Sequence, residues 1–220
     1  MDIPRGLDHL RMLTAVSQDT RTASEGELRK HDEVLRVLGT SLSALYQAST
    51  CHRKCHGGPH IFEALTGRAY NLGCAAYILI CRGFYDESMN LSRSIAEISN
   101  LILLSIVDKD AIRRWLAADR ATRLRDFSPA KVRRLLENEV KDSMVYVDKD
   151  WYSSLCEQYT HVTPNTKPNL HNDHGLPYAG GILQPAGLAL SLDVLATVLT
   201  FAALPICRYF KLDDLLKELS

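Results

Sequence analysis

The chain has 220 residues, 46% hydrophobic and 24% charged, the usage of a single packed globular domain rather than a disordered chain. Lys and Arg total 26, as do Asp and Glu, so the net charge is zero and no whole-molecule field draws in nucleic acid or an anionic membrane. β-branched residues do not alternate with polar ones, and no Asn-Gly or Asp-Gly pair joins two such runs. Helical spacing dominates instead.

Asp2, Asp8 and Arg11 interrupt the opening stretch, which has no basic start followed by an apolar core. A cytoplasmic location is expected, with the six cysteines as reduced thiols. A first helix is predicted from Leu7 to about Ser17. A second runs from Ser24, which forms a capping-box pattern with Glu27, to about Cys51. His56-Gly57-Gly58-Pro59 stops it. A third helix spans about Pro59 to Cys81, and Gly83 separates it from a fourth running from Tyr85 to about Val107. So short a connection predicts a central antiparallel hairpin.

A fifth helix is predicted over Asp110–Leu124, and a sixth from Ser128-Pro129 to about Lys141. A short seventh covers Asp150–Tyr159. The segment His161–Gly181 is rich in Pro and Gly, a loop long enough to be functional or mobile. The run Ala186–Cys207 is long enough to cross a bilayer. Asp193 near its middle and Pro205 near its end favour a buried core helix, and no membrane is expected. A last amphipathic helix, Leu212–Leu219, sets four leucines on one face and suggests self-association. The expected fold is an all-α single domain of seven to nine helices: N-terminal helices in 1–58, a core bundle in 59–207 and a C-terminal helix in 208–220.

The block Ala75–Ser88, continuing to Arg93-Ser94-Ile95-Ala96-Glu97, and the later Tyr159-Thr160-His161-Val162-Thr163-Pro164 carry a resemblance. Over about residues 60–205 the chain resembles an uncharacterised family of prokaryotic all-helical proteins, a domain of unknown function. Its members carry Arg-Ser-x-x-Glu after a Gly-Tyr-type turn and a later Tyr-x-His-x-x-Pro element. They are similar in build to HEPN bundles, and some stand near antiphage defence genes. The resemblance implies a binding or regulatory role in such a system, or a ribonuclease-like activity. The HEPN ribonuclease signature sets Arg and His within a few residues on one helix, whereas Arg93 and His161 are far apart here.

On the fourth helix Arg93, Glu97, Asn100 and Leu104 share one stripe, opposite Leu91, Ile95, Ile98 and Ile102. The helix turns apolar all round from Leu101, so the polar stripe runs toward the core, where charges need partners. Two readings stay open. The stripe is a solvated face, or Arg93 and Glu97 meet the Tyr159–His161 element in a semi-buried cluster. Such a cluster is either a structural tie or a catalytic centre, with His161 as general acid/base, Glu97 orienting it and Arg93 holding an anion.

Cys51, His52, Cys55 and His56, with His60, offer zinc ligands, and His171 with His174 a second pair. A helix C-terminus carrying cations accounts for the first group without a metal, and neither metal nor cofactor is expected. Arg113, Arg120 and Arg123 can share one face within a basic stretch that also holds Arg133 and Arg134, the best candidate for nucleic-acid contact. No G-x-S-x-G, Walker, H-E-x-x-H or G-x-G-x-x-G motif is present. The sequence thus points to a non-catalytic binding or regulatory protein acting through a protein partner, self-association or nucleic acid. The alternative is a metal-independent ribonuclease-like effector using Arg93, Glu97 and His161.

Overall fold

A computed structural model describes residues 4–50, 60–139 and 147–219. In chain order the helices are α1 (Leu7–Leu28), α2 (Asp32–Ser49), α3 (Ile61–Cys81), α4 (Tyr85–Val107), α5 (Lys109–Ala117), α6 (Arg120–Asp126), α7 (Pro129–Glu139), α8 (Lys149–Leu155), α9 (Pro185–Phe210) and α10 (Asp213–Leu219). A 3₁₀ turn, Arg29–His31, separates α1 from α2, and a π turn, Cys156–Thr160, extends α8.

The expected central antiparallel hairpin is corrected. Among the described residues there is no β-strand or sheet, so no such hairpin exists. The centre of the body is α9, an apolar helix packed on α2, α3 and α4. Leu188, Leu192, Leu195 and Leu199 are fully buried along it, and each such leucine contributes about 2 kcal/mol. By length and composition α9 is able to cross a membrane, a test that the core helices of soluble proteins also pass; 56% of its most apolar window is buried inside this body.

Gly83 links α3 to α4 in the left-handed region, at φ 76°. Its N–H bonds the Ile80 carbonyl, and the Phe84 N–H reaches back to Leu79, each at 3.0 Å. These are the two bonds of a Schellman stop. A Cβ at Gly83 would lie 2.4 Å from the Ile182 carbonyl oxygen, so the position admits only glycine.

Two expected boundaries move, and one expected surface is covered. Ser24 does not cap a second helix; it lies buried inside α1 and its hydroxyl donates to the Thr20 carbonyl at 2.9 Å. The fifth helix is two, because the Asp119 side chain accepts the Thr122 N–H at 2.8 Å and starts α6 anew. The leucines offered for self-association are occupied within the chain: Leu212, Leu215, Leu216 and Leu219 pack on Ala44, Ala203 and Cys207. The expected ends at Cys51, Pro59 and Lys141 lie outside the described residues.

Candidate functional site

Asn100 is the first tie between α4 and the segment that carries the site. Its amide donates to the Val147 carbonyl at 3.0 Å, and its oxygen accepts the Val147 N–H at 2.9 Å. One residue on, the Asp148 side chain accepts the Trp151 N–H at 2.9 Å and caps α8. The segment then runs back along α4. Tyr152 meets Glu97, and Cys156 meets Arg93.

Arg93 Nη2 donates to Glu97 Oε1 at 2.7 Å and to the Tyr152 hydroxyl at 2.5 Å. That hydroxyl in turn donates to Glu97 Oε1 at 2.5 Å, and Arg93 Nε reaches Cys156 Sγ at 3.2 Å. The side chains of Arg93 and Glu97 are 23% and 32% exposed, so the pair is half-sheltered. Burial pushes the Tyr152 phenol well above its ordinary value, and the bond to Glu97 pushes it further. Burial alone would lower the Arg93 guanidinium, but Cys156, Glu97 and Tyr152 together hold it raised. Both groups therefore keep their protons at neutral pH, and one oxygen of Glu97 is already committed to two donors.

His161 does not join them. Its backbone N–H closes the π turn on the Cys156 carbonyl at 2.9 Å, and the chain then leaves in extended conformation. The side chain is exposed and makes no hydrogen bond or ion pair with Arg93 or Glu97. The extra residue in the π turn is the physical reason: the stripe that carries Tyr152 and Cys156 toward α4 ends before His161.

On the other side of Tyr152 stands α7. Its residues Val132 and Leu136 pack against Leu103, Leu104 and Ala111, which brings Arg133 against the same ring. The Arg133 guanidinium lies 4.5 Å from the Tyr152 centroid, and that of Arg93 lies 5.1 Å from it. Arg133 is only 7% exposed. Among the described residues its guanidinium has no carboxylate and no hydrogen-bond acceptor. Its nitrogens are not among the buried polar atoms left without a partner, so the guanidinium keeps contact with solvent where it lines a pocket.

Arg133, Tyr152 and Glu97 line a half-open pocket of about 310 Å³ between α4, α7 and α8. The other walls are apolar, with Ile98, Leu101, Trp115, Phe127 and Val132 among them. That volume lies at the lower end of the range for small-molecule sites. Glu97, which lines the pocket, is paired with Arg93, so the Arg133 guanidinium is the charge left unpaired there.

A second network fixes the long loop to the start of α4. His171 Nε2 meets Asp86 Oδ1 at 2.8 Å, and the other Asp86 oxygen accepts the Asn169 N–H at 2.6 Å. The Asn169 amide donates to the Gly83 carbonyl at 2.7 Å. Gln184 bonds the Asn169 carbonyl at 2.8 Å and the His171 N–H at 3.0 Å. The Tyr159 ring stacks over His171, and Tyr85 meets it edge-on. His171 is therefore a docking residue of the loop and not a partner of His174, which is exposed.

Cys51, His52, Cys55 and His56 lie outside the described residues. His60 sits near Glu63, at 3.3 Å. Among the described residues no group of three or more His, Cys, Asp or Glu side chains is placed to hold a metal ion.

The basic stretch does not present one face. Arg113 lies on α5 and pairs with Asp110 at 2.9 Å, whereas Arg120 and Arg123 lie on α6, beyond the break at Asp119. Arg123 donates to the Ala118 carbonyl. Arg133, the buried member of the stretch, follows a readable pattern: Pro129, Val132, Arg133 and Leu136 stand at helical i, i+3, i+4 and i+7 positions. Tyr152, Leu155, Cys156 and Tyr159 repeat that spacing.

No family model, curated protein or solved structure matches this chain.

Proposed function

We propose that the chain is a non-catalytic binding or regulatory protein whose ligand occupies the pocket between α4, α7 and α8. The observation that carries this reading is Arg133, a mostly buried residue whose guanidinium has no acceptor among the described residues and opens on a largely apolar pocket beside Tyr152. A guanidinium held in this way is a preformed half of an interaction. Catalysis has less support. Glu97 is engaged by two donors, and His161 is exposed away from it. The same separation counts against the ribonuclease-like alternative, which needs His161 beside Arg93. The family resemblance supplies the setting, a prokaryotic system with antiphage defence as the context that some of its members share.

The test is occupancy. A thermal-shift survey of small metabolites on the wild-type protein is repeated on Leu101→Trp, which fills the pocket with indole. Ligands that stabilise the wild type and not the filled variant support the reading. Ligands that stabilise both equally, or none that stabilises the wild type, overturn it.

A further inference from the structure

The charge count at the pocket narrows what fits it. Arg93 is satisfied by Glu97, Tyr152 and Cys156. Arg133 retains its full donor set and faces the Tyr152 ring. The pocket walls pair that cation with aromatic surface from Trp115, Phe127 and Tyr152. Its volume of about 310 Å³ suits a body of one or two fused rings and no more. A dianion would keep one charge uncompensated by the single unpaired guanidinium, and a neutral ligand would leave Arg133 without a counter-charge in a half-enclosed site. A cationic ligand would meet two guanidiniums around one ring.

Resting on the binding reading above, we infer that the pocket takes a compact aromatic monoanion, its ring system against Trp115 and Phe127 and its anionic head on the guanidinium of Arg133. Carboxylate and phosphodiester heads share this chemistry, since each carries one negative charge and the guanidinium fork matches both. Nothing reacts in this complex. The ligand completes an ion pair that the protein leaves half-made.

The experiment is calorimetric titration of the full chain with indole-3-acetate, with its neutral amide indole-3-acetamide, and with the monoanionic diester methyl phenyl phosphate. The wild type is expected to bind indole-3-acetate about tenfold more tightly than the amide, the effect of one charge-assisted contact. Methyl phenyl phosphate tighter than indole-3-acetate assigns the head to phosphodiester, and the reverse assigns it to carboxylate. Arg133→Met keeps the length of the side chain and removes its charge, and is expected to bind acid and amide alike. Arg133→Lys keeps the charge and is expected to retain a preference for the acid. If Arg133→Met does not fold, the wild-type ratio and Arg133→Lys decide. Acid and amide binding equally to the wild type would end the anion inference while leaving the pocket reading in place. Binding of none of the probes would end both. A preference for the acid that survives in Arg133→Met would put the anion elsewhere and overturn the assignment.

Discussion

Tyr152 and Arg133 meet face to cation, the guanidinium 4.5 Å from the ring centroid, although the two residues belong to different helices, α8 and α7. Arg93 lies 5.1 Å from the same centroid, and its Nη2 also bonds the phenol. Tyr152 thus does two separable things: its ring receives cations and its hydroxyl bridges Arg93 and Glu97.

Tyr152→Phe separates them. The ring stays, the two hydroxyl bonds go, and Glu97 keeps only Arg93. A loss of about 1–2 kcal/mol is expected, read as a lower urea midpoint with an unchanged slope. A loss below a few tenths of a kcal/mol would mean that the bridge adds nothing beyond the direct ion pair.

Asn100 is 4% exposed and holds both polar groups of Val147. Asn100→Ala leaves a backbone N–H and a carbonyl without partners and is expected to cost about 2–4 kcal/mol. The damage should concentrate on α8, so hydrogen exchange at Trp151 and Tyr152 should quicken more than in α9. Uniform acceleration across the chain would contradict that local role.

Gly83 and Gly26 should respond with opposite signs. Gly83→Ala puts a methyl 2.4 Å from the Ile182 backbone at a positive φ, and a loss of at least about 2 kcal/mol is expected. Gly26 lies in α1 with nothing within 4 Å of an added Cβ. Gly26→Ala should stabilise by about 0.5–1 kcal/mol. Thermal melting of the two variants checks both signs.

Asp86 holds the long loop through Asn169 and His171. Asp86→Asn keeps the shape and loses the charge. Faster cleavage by endoproteinase Asp-N before the exposed Asp173 is expected, with the helical signal retained. Cleavage at the wild-type rate would show that Gln184 and the Asn169 amide suffice.

Alkali should destabilise the fold before it reaches the pocket. Burial raises the Cys207 thiol from its ordinary 9.0 to about 11, and burial followed by the Cys81 charge raises the Tyr77 phenol from 10.0 to about 12. The folded state binds these protons more tightly than the unfolded chain. Their contribution is therefore complete below about pH 9 and is lost as the pH climbs to about 12. Melting temperatures across that window should fall, and Cys207→Ala should flatten the early part of the decline.

The elements that sequence reading located best are those with one dominant cause. The apolar run of α9 and the glycine stop before α4 each carry a single strong signal. The misread ones carry two signals in conflict. Ser24 with Glu27 spells a helix start, yet nothing between Ser17 and Ser24 breaks a helix, and Ser24 bonds back to Thr20 instead. At the site, the polar stripe of Arg93 and Glu97 was legible because the helix around it turns apolar. Its partners were not, since Tyr152 on α8 and Cys156 at the start of the π turn reach α4, while His161 follows the turn in extended backbone. Arg133 was hidden among seven other basic residues of its stretch, and only its place between Val132 and Leu136 distinguishes it.

The Thr20 hydroxyl of α1 donates to the Gly181 carbonyl at 3.0 Å, across 161 residues. A Cβ at Gly181 would in turn lie 2.0 Å from the Arg82 carbonyl oxygen. Thr20 of helix α1 thus leaves the ribosome 161 residues before the seat it takes. Until the segment around Gly181 is threaded against the α3–α4 turn, α1 has no acceptor for its buried hydroxyl. A nascent chain released before that point carries an undocked amino-terminal helix, a natural handle for chaperones and proteases.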